Sequence, residues 1–373
     1  MNPKKTPDMW LFAITIALLV IGLFMVFDAS YARAGQVKYT GGDPFYFIKR
    51  QAIFAMAGLV LMFVAMRIPY WKLKRFGFVL LLVSIIGLAF VQVPGVGVMV
   101  NGARRWIHFA GITIQPSEFA KLGLVIYMVA YLSTRQRELR VWSDGLLKAL
   151  FPLAPIAVLV MAQPDMGTTI VLCAMAVVMI YLAGAQKQHI TMIIVAGLIL
   201  GMLFSFSSPY RRERMTSFAN PFGDYHESGY QVCQSLIALG SGGIFGVGLC
   251  EGKEKLFYLP EAHTDFILAV LGEEVGLIGT IIVAALFFMF AVRSYIIAFH
   301  TRETFGRLLA AGLGTLISGQ ALLNMCVVTS SVPATGVPLP FISYGGSSLA
   351  LNLLCVGILL GISRYPGHIK GYQ

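Results

Sequence analysis

The stretch Tyr258–Gly276, YLPEAHTDFILAVLGEEVG, joins a polar loop to the start of a long apolar helix. Its first part carries Glu261, His263 and Asp265. An ionisable group at or below a membrane surface is unfavourable unless it faces a cavity, a partner or water. We therefore predict a functional site here, centred on Asp265. The alternative is an ordinary helix start, because Thr264 and Asp265 are residue types that cap helix N-termini.

Two further glutamates help to weigh these alternatives. Glu273 and Glu274 follow Asp265 inside the apolar segment. At about 100° per residue, they are turned about 80° and 180° away from Asp265 around a helix. Capping would account for Asp265 but not for these glutamates or for His263. The pattern therefore favours a functional site.

The composition is that of a membrane protein. Of the 373 residues, 57% are hydrophobic and 12% are charged, whereas a soluble domain has roughly 25% charged residues. The apolar runs predict an all-α polytopic membrane protein, a single domain over residues 1–373 with about ten transmembrane helices. The first run has no convincing cleavage site, so we interpret it as a span and not as a signal peptide. The predicted spans are about 9–27, 52–69, 77–95, 119–133, 146–162, 168–185, 190–207, 266–292, 306–329 and 346–363.

Basic residues predict the orientation of these spans. An even number of spans puts both termini on one side, although some runs are short and nine or eleven spans are the alternative. More than half of the 28 Lys and Arg residues fall on the side of the termini, and the positive-inside rule then predicts cytoplasmic N- and C-termini. The basic residues left on the outer side suggest an anionic ligand there. The net charge of +11 therefore gives no reason to expect nucleic acid.

The longest polar stretch, about 208–264, is predicted to be an extracytoplasmic loop between spans 7 and 8. It begins with a basic cluster at 209–215, and an amphipathic helix is predicted from Tyr230 into six glycines between Gly240 and Gly252. Such glycine density requires tight turns or close backbone approach. A re-entrant or interfacial segment fits better than a nucleotide site, because the glycines do not form a Walker or GxGxxG pattern after a strand.

The five cysteines have no metal-ligand spacing. Only Cys233 and Cys250 share a loop, and the sequence leaves open whether they form a disulfide.

Two shorter outer segments place acids at helix starts. Glu118 and Lys121 are three residues apart in Gln115-Pro-Ser-Glu-Phe-Ala-Lys and share a helix face. They either neutralise each other or take part in binding. For Asp165, which follows Gln163 and a proline, helix capping is the stronger interpretation.

The last outer loop, 333–348, is rich in proline, glycine and serine. Its prolines restrict the backbone, and the helix start after Gly345 offers N–H groups to an anion. In the preceding span, Gln320 and Asn324 lie four residues apart. Amides in lipid normally bond to a neighbouring helix, so we predict a structural role for this pair.

Five motifs together closely resemble the SEDS family of shape, elongation, division and sporulation proteins, which includes RodA and FtsW. The resemblance covers essentially the whole chain, and Ala262 with the Gly272-Glu-Glu run leans towards FtsW. The chain departs from the family pattern at Gly252-Lys-Glu-Lys and at Ser330-Ser-Val. In chain order the motifs are Gln115-Pro-Ser-Glu-Phe-Ala-Lys, Gln163-Pro-Asp-Met-Gly-Thr, Tyr230-Gln…Gln-Ser…Gly-Ser-Gly-Gly, Pro260-Glu-Ala-His-Thr-Asp-Phe and Pro338-Leu-Pro-Phe-Ile-Ser-Tyr-Gly-Gly-Ser-Ser.

The resemblance implies a glycosyltransferase of the bacterial cytoplasmic membrane that polymerises lipid II into glycan strands. The implied partners are a class B penicillin-binding transpeptidase and other divisome or elongasome membrane proteins. The family's catalytic aspartate maps onto Asp265, and functional basic positions map onto Arg105 and Lys121. No cofactor is required by the sequence, and a divalent cation, Mg or Mn, is possible. Further candidate substrate-binding residues are Glu118, His263, Glu261, Gln231, Ser343 and Tyr344.

Lipid II polymerisation needs a base for the acceptor's 4-hydroxyl and cations for the departing pyrophosphate. Asp265 can supply the base, while Arg105 and Lys121 can supply the cations. The alternatives are a lipid II flippase and a scaffold that regulates a transpeptidase. A transporter needs a charged path through the bilayer, whereas the charges of the candidate site are predicted on the outer side, apart from Glu273 and Glu274. This distribution favours chemistry at the outer surface.

Overall fold

The structure is a computed structural model that describes residues 6–36, 41–100, 103–109, 112–206, 218, 221–224 and 229–365. Helices dominate these residues. They are α1 (Met9–Ala34), α2 (Tyr46–Arg67), α3 (Leu73–Phe90), α4 (Pro116–Leu132), α5 (Leu147–Leu150), α6 (Leu153–Ala162), α7 (Met166–Leu182), α8 (Lys187–Ser205), α9 (Tyr230–Gly242), α10 (Ile267–His300), α11 (Thr304–Val328) and α12 (Gly346–Ser363). The predicted basic cluster at 209–215 lies outside the described residues.

A helix occupies each of the ten predicted spans, which confirms the helical membrane fold. Length and composition alone make seven of the described helices suitable for crossing a membrane. Residues Leu147–Ala162 and helix α7 are apolar but shorter. The count of ten crossings therefore stays a prediction.

The centre of the bundle is formed by α11 and α12. Helix α11 packs against α4, α7 and α10, and α12 packs closely along α2. The close packing of α12 on α2 depends on a glycine: a Cβ atom at Gly357 would lie 2.3 Å from the Met62 carbonyl oxygen. Small residues commonly let membrane helices approach in this way. Helix α8 lies at the periphery and buries almost none of its surface in the protein.

Both ends of the described chain lie on the same side of the bundle. Asp8 caps α1 by accepting a hydrogen bond from the Leu11 amide at 2.9 Å. The Asp8 amide donates to the Ser363 hydroxyl at the end of α12, at 3.0 Å. The Asp8 carboxylate also pairs with Arg293 near the end of α10. The start of α1 and the end of α12 therefore lie next to each other, as an even number of spans requires.

A small antiparallel sheet, absent from the sequence analysis, lies between α3 and α4. Its strands are β1 (Gly97–Val100), β2 (Ala103–Phe109) and β3 (Ile112–Ile114), in that order. The two residues between β1 and β2 in the sequence are Asn101 and Gly102. Asn-Gly is a strong signal for a two-residue hairpin connection. The Asn-Gly pair was therefore a signal for this sheet, but the sequence was interpreted from its apolar runs as membrane spans.

Helix α10 occupies the span predicted at 266–292, but it is interrupted near its start. Gly276 has φ 72° and ψ −165°, which divides α10 into a short first part and a long second part. The glycine-rich segment after α9 supplies hydrogen-bond partners to the break. The Leu277 amide donates to the Gly243 carbonyl at 2.9 Å, and the Val247 amide donates to the Glu273 carbonyl at 3.0 Å. Backbone groups at a helix break need such partners in a membrane protein.

Close contact at the break explains the glycines. A Cβ atom at Gly276 would lie 2.4 Å from the Gly246 nitrogen, and one at Gly246 would lie 2.0 Å from the Glu274 carbonyl oxygen. The prediction of an amphipathic helix from Tyr230 into these glycines is confirmed by α9. Cys233 and Cys250 do not form a disulfide with each other.

Candidate functional site

Asp265 lies directly before the first part of α10. The N-cap of this helix is Phe266, so Asp265 lies one residue before the capping position. Asp265 is half-buried, and its backbone carbonyl accepts a 2.7 Å hydrogen bond from the Asn324 side-chain amide of α11. The position of Asp265 is therefore set partly by a neighbouring helix.

The Asp265 carboxylate and the Arg105 guanidinium both lie beside the proline-rich loop before α12. Gly336 of this loop has φ +70°. A Cβ atom at Gly336 would lie 3.4 Å from Asp265 Oδ2 and 3.8 Å from Arg105 Nη1. A carboxylate and a guanidinium from distant parts of the sequence thus flank one glycine.

Arg105 lies on β2 and is held by the turn between α6 and α7. Its Nε donates to the Gln163 carbonyl at 2.8 Å, and its Nη2 donates to the Pro164 carbonyl at 2.5 Å. These two bonds fix the plane of the guanidinium while Nη1 points towards Gly336. The site therefore presents a pre-oriented cation beside Asp265.

The same turn confirms the capping prediction for Asp165. This carboxylate is buried and accepts hydrogen bonds from the Thr168 amide at 3.0 Å and the Thr168 hydroxyl at 2.8 Å. Asp165 caps α7 and so stabilises the turn that holds Arg105.

Glu118 and Lys121 form the predicted pair. Lys121 Nζ lies 2.8 Å from Glu118 Oε1, and their side chains are only 5% and 3% exposed respectively. Lys121 Nζ also donates to Gln320 Oε1 at 2.6 Å. Both candidate substrate-binding residues are therefore engaged inside the protein.

The predicted structural role of Gln320 and Asn324 is confirmed, but their partner is a loop and not only a helix. Gln320 Nε2 donates to the Pro338 carbonyl at 2.9 Å. Asn324 Nδ2 donates to the Val337 carbonyl at 2.8 Å. The two amides thus hold the proline-rich loop next to Gly336.

His263 is buried between two aromatic rings. Its ring centroid lies 4.8 Å from that of Phe47 and 5.8 Å from that of Tyr344. Burial lowers the pKa of His263 to about 4; the Glu261 carboxylate opposes this shift, and the Arg33 guanidinium adds to it. The imidazole is therefore neutral at neutral pH and cannot serve as a cation for a phosphate.

Tyr344 and Ser343 fasten the Asp265 loop to the start of α12. The Tyr344 amide donates to the His263 carbonyl at 3.0 Å, and burial raises the pKa of the Tyr344 phenol. The Ser343 hydroxyl donates to the Thr264 carbonyl at 2.6 Å and accepts from the Leu339 amide at 2.8 Å. Ser343 thus has a structural role in addition to any predicted contact with substrate.

Glu261 and Gln231 lie on the other side of the loop. Glu261 has φ +54°, and its carboxylate accepts from the Thr264 hydroxyl at 2.9 Å. Gln231 Nε2 lies 3.5 Å from the Pro260 carbonyl oxygen, at the limit of a hydrogen bond. Glu261 also lines a cavity of about 220 Å³, together with Arg33 of α1 and His263.

A second buried lysine, Lys255, was not predicted from the sequence. Its Nζ lies 2.5 Å from Asp28 Oδ1 of α1 and also contacts the carboxylate of Glu274. Glu274 accepts a further bond from the Cys250 amide at 3.1 Å, and Glu273 accepts one from the Lys253 amide at 2.8 Å. The two glutamates are buried, as predicted, but they bind the glycine-rich loop. Asp28, directly after the first predicted span, was the available signal for this cluster.

Comparison with known proteins supports the resemblance. The family model described as a cell cycle protein of the FtsW, RodA and SpoVE type matches residues 9–368. The chain belongs to this family. Stage V sporulation protein E of Bacillus subtilis (strain 168) is 42% identical over 366 residues, which cover 98% of this chain and 99% of that protein.

Two further members of this similarity group bear on function. A probable peptidoglycan glycosyltransferase FtsW of Geobacter metallireducens is 42% identical, over 95% of this chain and 94% of that protein. Among solved structures, a chain from work on the coordination of polymerization and crosslinking by a peptidoglycan synthase complex is 26% identical with a TM-score of 0.78. That match covers 97% of this chain and 99% of the other.

Proposed function

We propose that the chain is a peptidoglycan glycosyltransferase that polymerises lipid II at the outer face of the bacterial cytoplasmic membrane, with Asp265 as general base. The observation that carries this proposal is the approach of Asp265 Oδ2 and Arg105 Nη1 to the same glycine, Gly336. A base beside an oriented cation suits a reaction that deprotonates a hydroxyl and releases a phosphate. The relatives named as probable peptidoglycan glycosyltransferases support this reaction class.

In this mechanism Asp265 takes the proton from the acceptor's 4-hydroxyl as the hydroxyl oxygen bonds to the donor's anomeric carbon. The bond between that carbon and the pyrophosphate oxygen breaks, and the pyrophosphate leaves with the electron pair. Arg105 Nη1 offers a charge-assisted hydrogen bond to the leaving oxygens. One positioned base suffices because the pyrophosphate is already a good leaving group.

A divalent cation, Mg or Mn, fits this arrangement only as an ion shared with substrate. Among the described residues, His, Cys, Asp and Glu do not form a group of three that could hold a metal by themselves. Mg²⁺ is often held by one or two carboxylates together with substrate phosphates. Asp265 would be the protein ligand, and the ion would supply positive charge to the pyrophosphate.

We further propose a transpeptidase partner and cytoplasmic termini. The structural similarity to a chain of a peptidoglycan synthase complex supports the partner. The meeting of Asp8 with Ser363 puts both ends of the described chain on one side, and the basic loops on that side support its cytoplasmic assignment. A thiol introduced next to Asp8 should react with an impermeant reagent only after the cells are permeabilised. Labelling of the thiol in intact cells would instead show that the termini lie outside the cytoplasm.

The deciding experiment is polymerisation of labelled lipid II by the purified chain, alone and with its cognate transpeptidase. Asp265→Asn is nearly isosteric but is not a base, so glycan synthesis should fall below a tenth of the wild-type rate, a barrier increase of at least about 1.4 kcal/mol. Asp43→Asn makes the same chemical change at an exposed carboxylate and should leave the rate unchanged. Retention of more than about a tenth of the activity in Asp265→Asn would remove Asp265 from the role of base. Product made by the wild-type chain alone would exclude the scaffold alternative.

A further inference from the structure

A series of buried polar contacts leads from α4 to Asp265, and we call it the amide ladder. It consists of Glu118, Lys121, Gln320 and Asn324. Lys121 contacts Glu118 and Gln320, Gln320 contacts the Pro338 carbonyl, and Asn324 contacts the carbonyls of Val337 and Asp265. Each of these contacts is between 2.6 and 2.9 Å long.

We propose that Lys121, neutralised by Glu118, is a positioning residue that sets the geometry of Asp265 and Arg105 through the amide ladder. It would act without touching the substrate. This inference rests on the proposed function, in which Asp265 is the base. It assigns Lys121 a role different from the pyrophosphate contact that the resemblance implies.

Burial favours positioning over substrate contact. The Lys121 side chain is 5% exposed, and its ammonium is within hydrogen-bond distance of both Glu118 and Gln320. A phosphate contact would require the ammonium to leave these partners and to strand the Glu118 carboxylate. Such a stranded buried charge is strongly unfavourable.

The chemistry of an ammonium explains why a lysine is needed here. A lysine side chain only donates hydrogen bonds, whereas an amide has one donating and one accepting end. Because Lys121 faces the oxygen of Gln320, the NH₂ group of Gln320 must face the opposite way, towards the Pro338 carbonyl. An apolar residue in place of Lys121 would allow the amide to flip. The ammonium therefore selects one orientation of Gln320.

The orientation of Gln320 matters because of what the loop carries. Val337 and Pro338 follow Gly336 directly, and Gly336 is the residue that Asp265 and Arg105 flank. Because Pro338 has no amide hydrogen, its carbonyl is the backbone group that Gln320 can hold. A shift of about 1 Å in a catalytic group can lower a rate about 10²-fold. Release of the loop would thus alter the separation of base and cation.

The first test uses Gln320→Leu and Asn324→Leu in the full-length protein, with initial rates measured against lipid II concentration. We expect kcat to fall roughly 10- to 100-fold in each variant, because the proposal requires both amides to position the catalytic groups. KM should stay within about twofold, because neither amide binds substrate in this proposal. The matched control is Gln136→Leu in the segment that follows the other end of α4, where an amide donates to the Ala183 carbonyl at 3.3 Å. This control should leave both constants unchanged.

The second test is the double variant Glu118→Gln with Lys121→Met, which removes both buried charges together. Positioning predicts a low kcat with a normal KM, because Gln320 loses the donor that orients it. A normal kcat would show that the pair only balances charge, and a KM raised about tenfold with normal kcat would show a substrate contact. Either result would overturn the proposal.

Thermal unfolding shows which of the two amide variants and the double variant still fold. Any one of them that folds is enough for the test, because positioning lowers kcat whereas a substrate contact raises KM. Failure of this inference is also distinct from failure of the proposed function. If Asp265→Asn is inactive while both amide variants have normal kcat, positioning is wrong and the general base stands. If Asp265→Asn is active, the proposed function itself is wrong.

Discussion

Lys121 and Lys255 are both buried lysines that meet carboxylates, yet they connect the chain differently. Lys121 pairs with Glu118 three residues away in the same helix, one charge against one. Lys255 meets Asp28 and Glu274, which belong to α1 and α10, so two carboxylates share one ammonium. The local pair orients an amide, whereas the long-range cluster ties three segments together.

This difference shows that the structural role of a buried ion pair depends on which segments of the chain it connects. Lys255 lies in the loop that leads to Asp265, and its contacts fasten that loop to α1 and to the first part of α10. Lys121 contacts Gln320 of a neighbouring helix, and Gln320 in turn contacts the Pro338 carbonyl. Lys255 thus holds the Asp265 loop by charge, whereas Lys121 contacts an amide that holds the proline-rich loop.

The largest effect on stability is expected for Lys255→Met. The substitution leaves Asp28 and Glu274 buried without their cation, and breaking a buried pair typically costs about 3–5 kcal/mol. With two carboxylates stranded, we expect a loss in unfolding free energy near the upper end of that range. The measurement is denaturant or thermal unfolding in detergent. Lys253→Met, at an exposed position two residues earlier, is the matched control, and an equal loss there would contradict the cluster's role.

The next effect is expected at the local pair. Lys121→Met should cost about 3 kcal/mol because it strands one carboxylate, and adding Glu118→Gln should recover most of the loss. Adding Glu274→Gln to Lys255→Met should recover only part, since Asp28 remains. Full recovery by a single partner change at both sites would remove the distinction between the two lysines.

The local pair was predictable and the cluster was not, for a physical reason. Glu118 and Lys121 are neighbours on any helix because of their spacing, and the caps of α1 and α7 depend on equally local rules. Asp28 and Lys255 are 227 residues apart, and neither spacing nor hydrophobicity brings them together. Their contact exists only once the bundle has assembled.

The same reasoning applies to the candidate site. Local polarity singled out Asp265, Glu273 and Glu274, and the spans were visible as apolar runs. The meeting of Arg105 with Asp265 came from the family resemblance, because the two residues lie on β2 and before α10. The break at Gly276 was not predicted, since a glycine in an apolar run does not reveal which loop will fill the break.

A third prediction concerns His263, which lies in the loop between Lys255 and Asp265. Its pKa is lowered by burial from 6.5 to about 4, so the folded protein resists protonation of this ring. Above pH 6.5 the ring is neutral in both folded and unfolded states and adds no pH dependence. Between pH 6.5 and 4 the unfolded state gains the proton first, so stability should fall by up to about 3 kcal/mol as the pH is lowered.

The measurement is the unfolding free energy of the wild type and of His263→Gln across this pH range. The difference between the two curves isolates the ring from other titrating groups, including the nearby Glu261. Parallel curves would mean that His263 is not held neutral by burial. If the slope of unfolding free energy against pH is lost in His263→Gln, burial does hold this ring neutral in the folded protein.

The smallest effect is expected at the exposed pair Asp43 and Lys49, which has the same 2.8 Å separation as Glu118 and Lys121. The Lys49 side chain is 64% exposed and that of Asp43 is 37% exposed. Water and salt screen such a pair, and a freed carboxylate there is readily hydrated. Lys49→Met should therefore leave the unfolding midpoint within experimental error, whereas Lys121→Met should shift it clearly. Equal shifts would mean that the separation of the charges, and not their burial, determines what a lysine contributes in this protein.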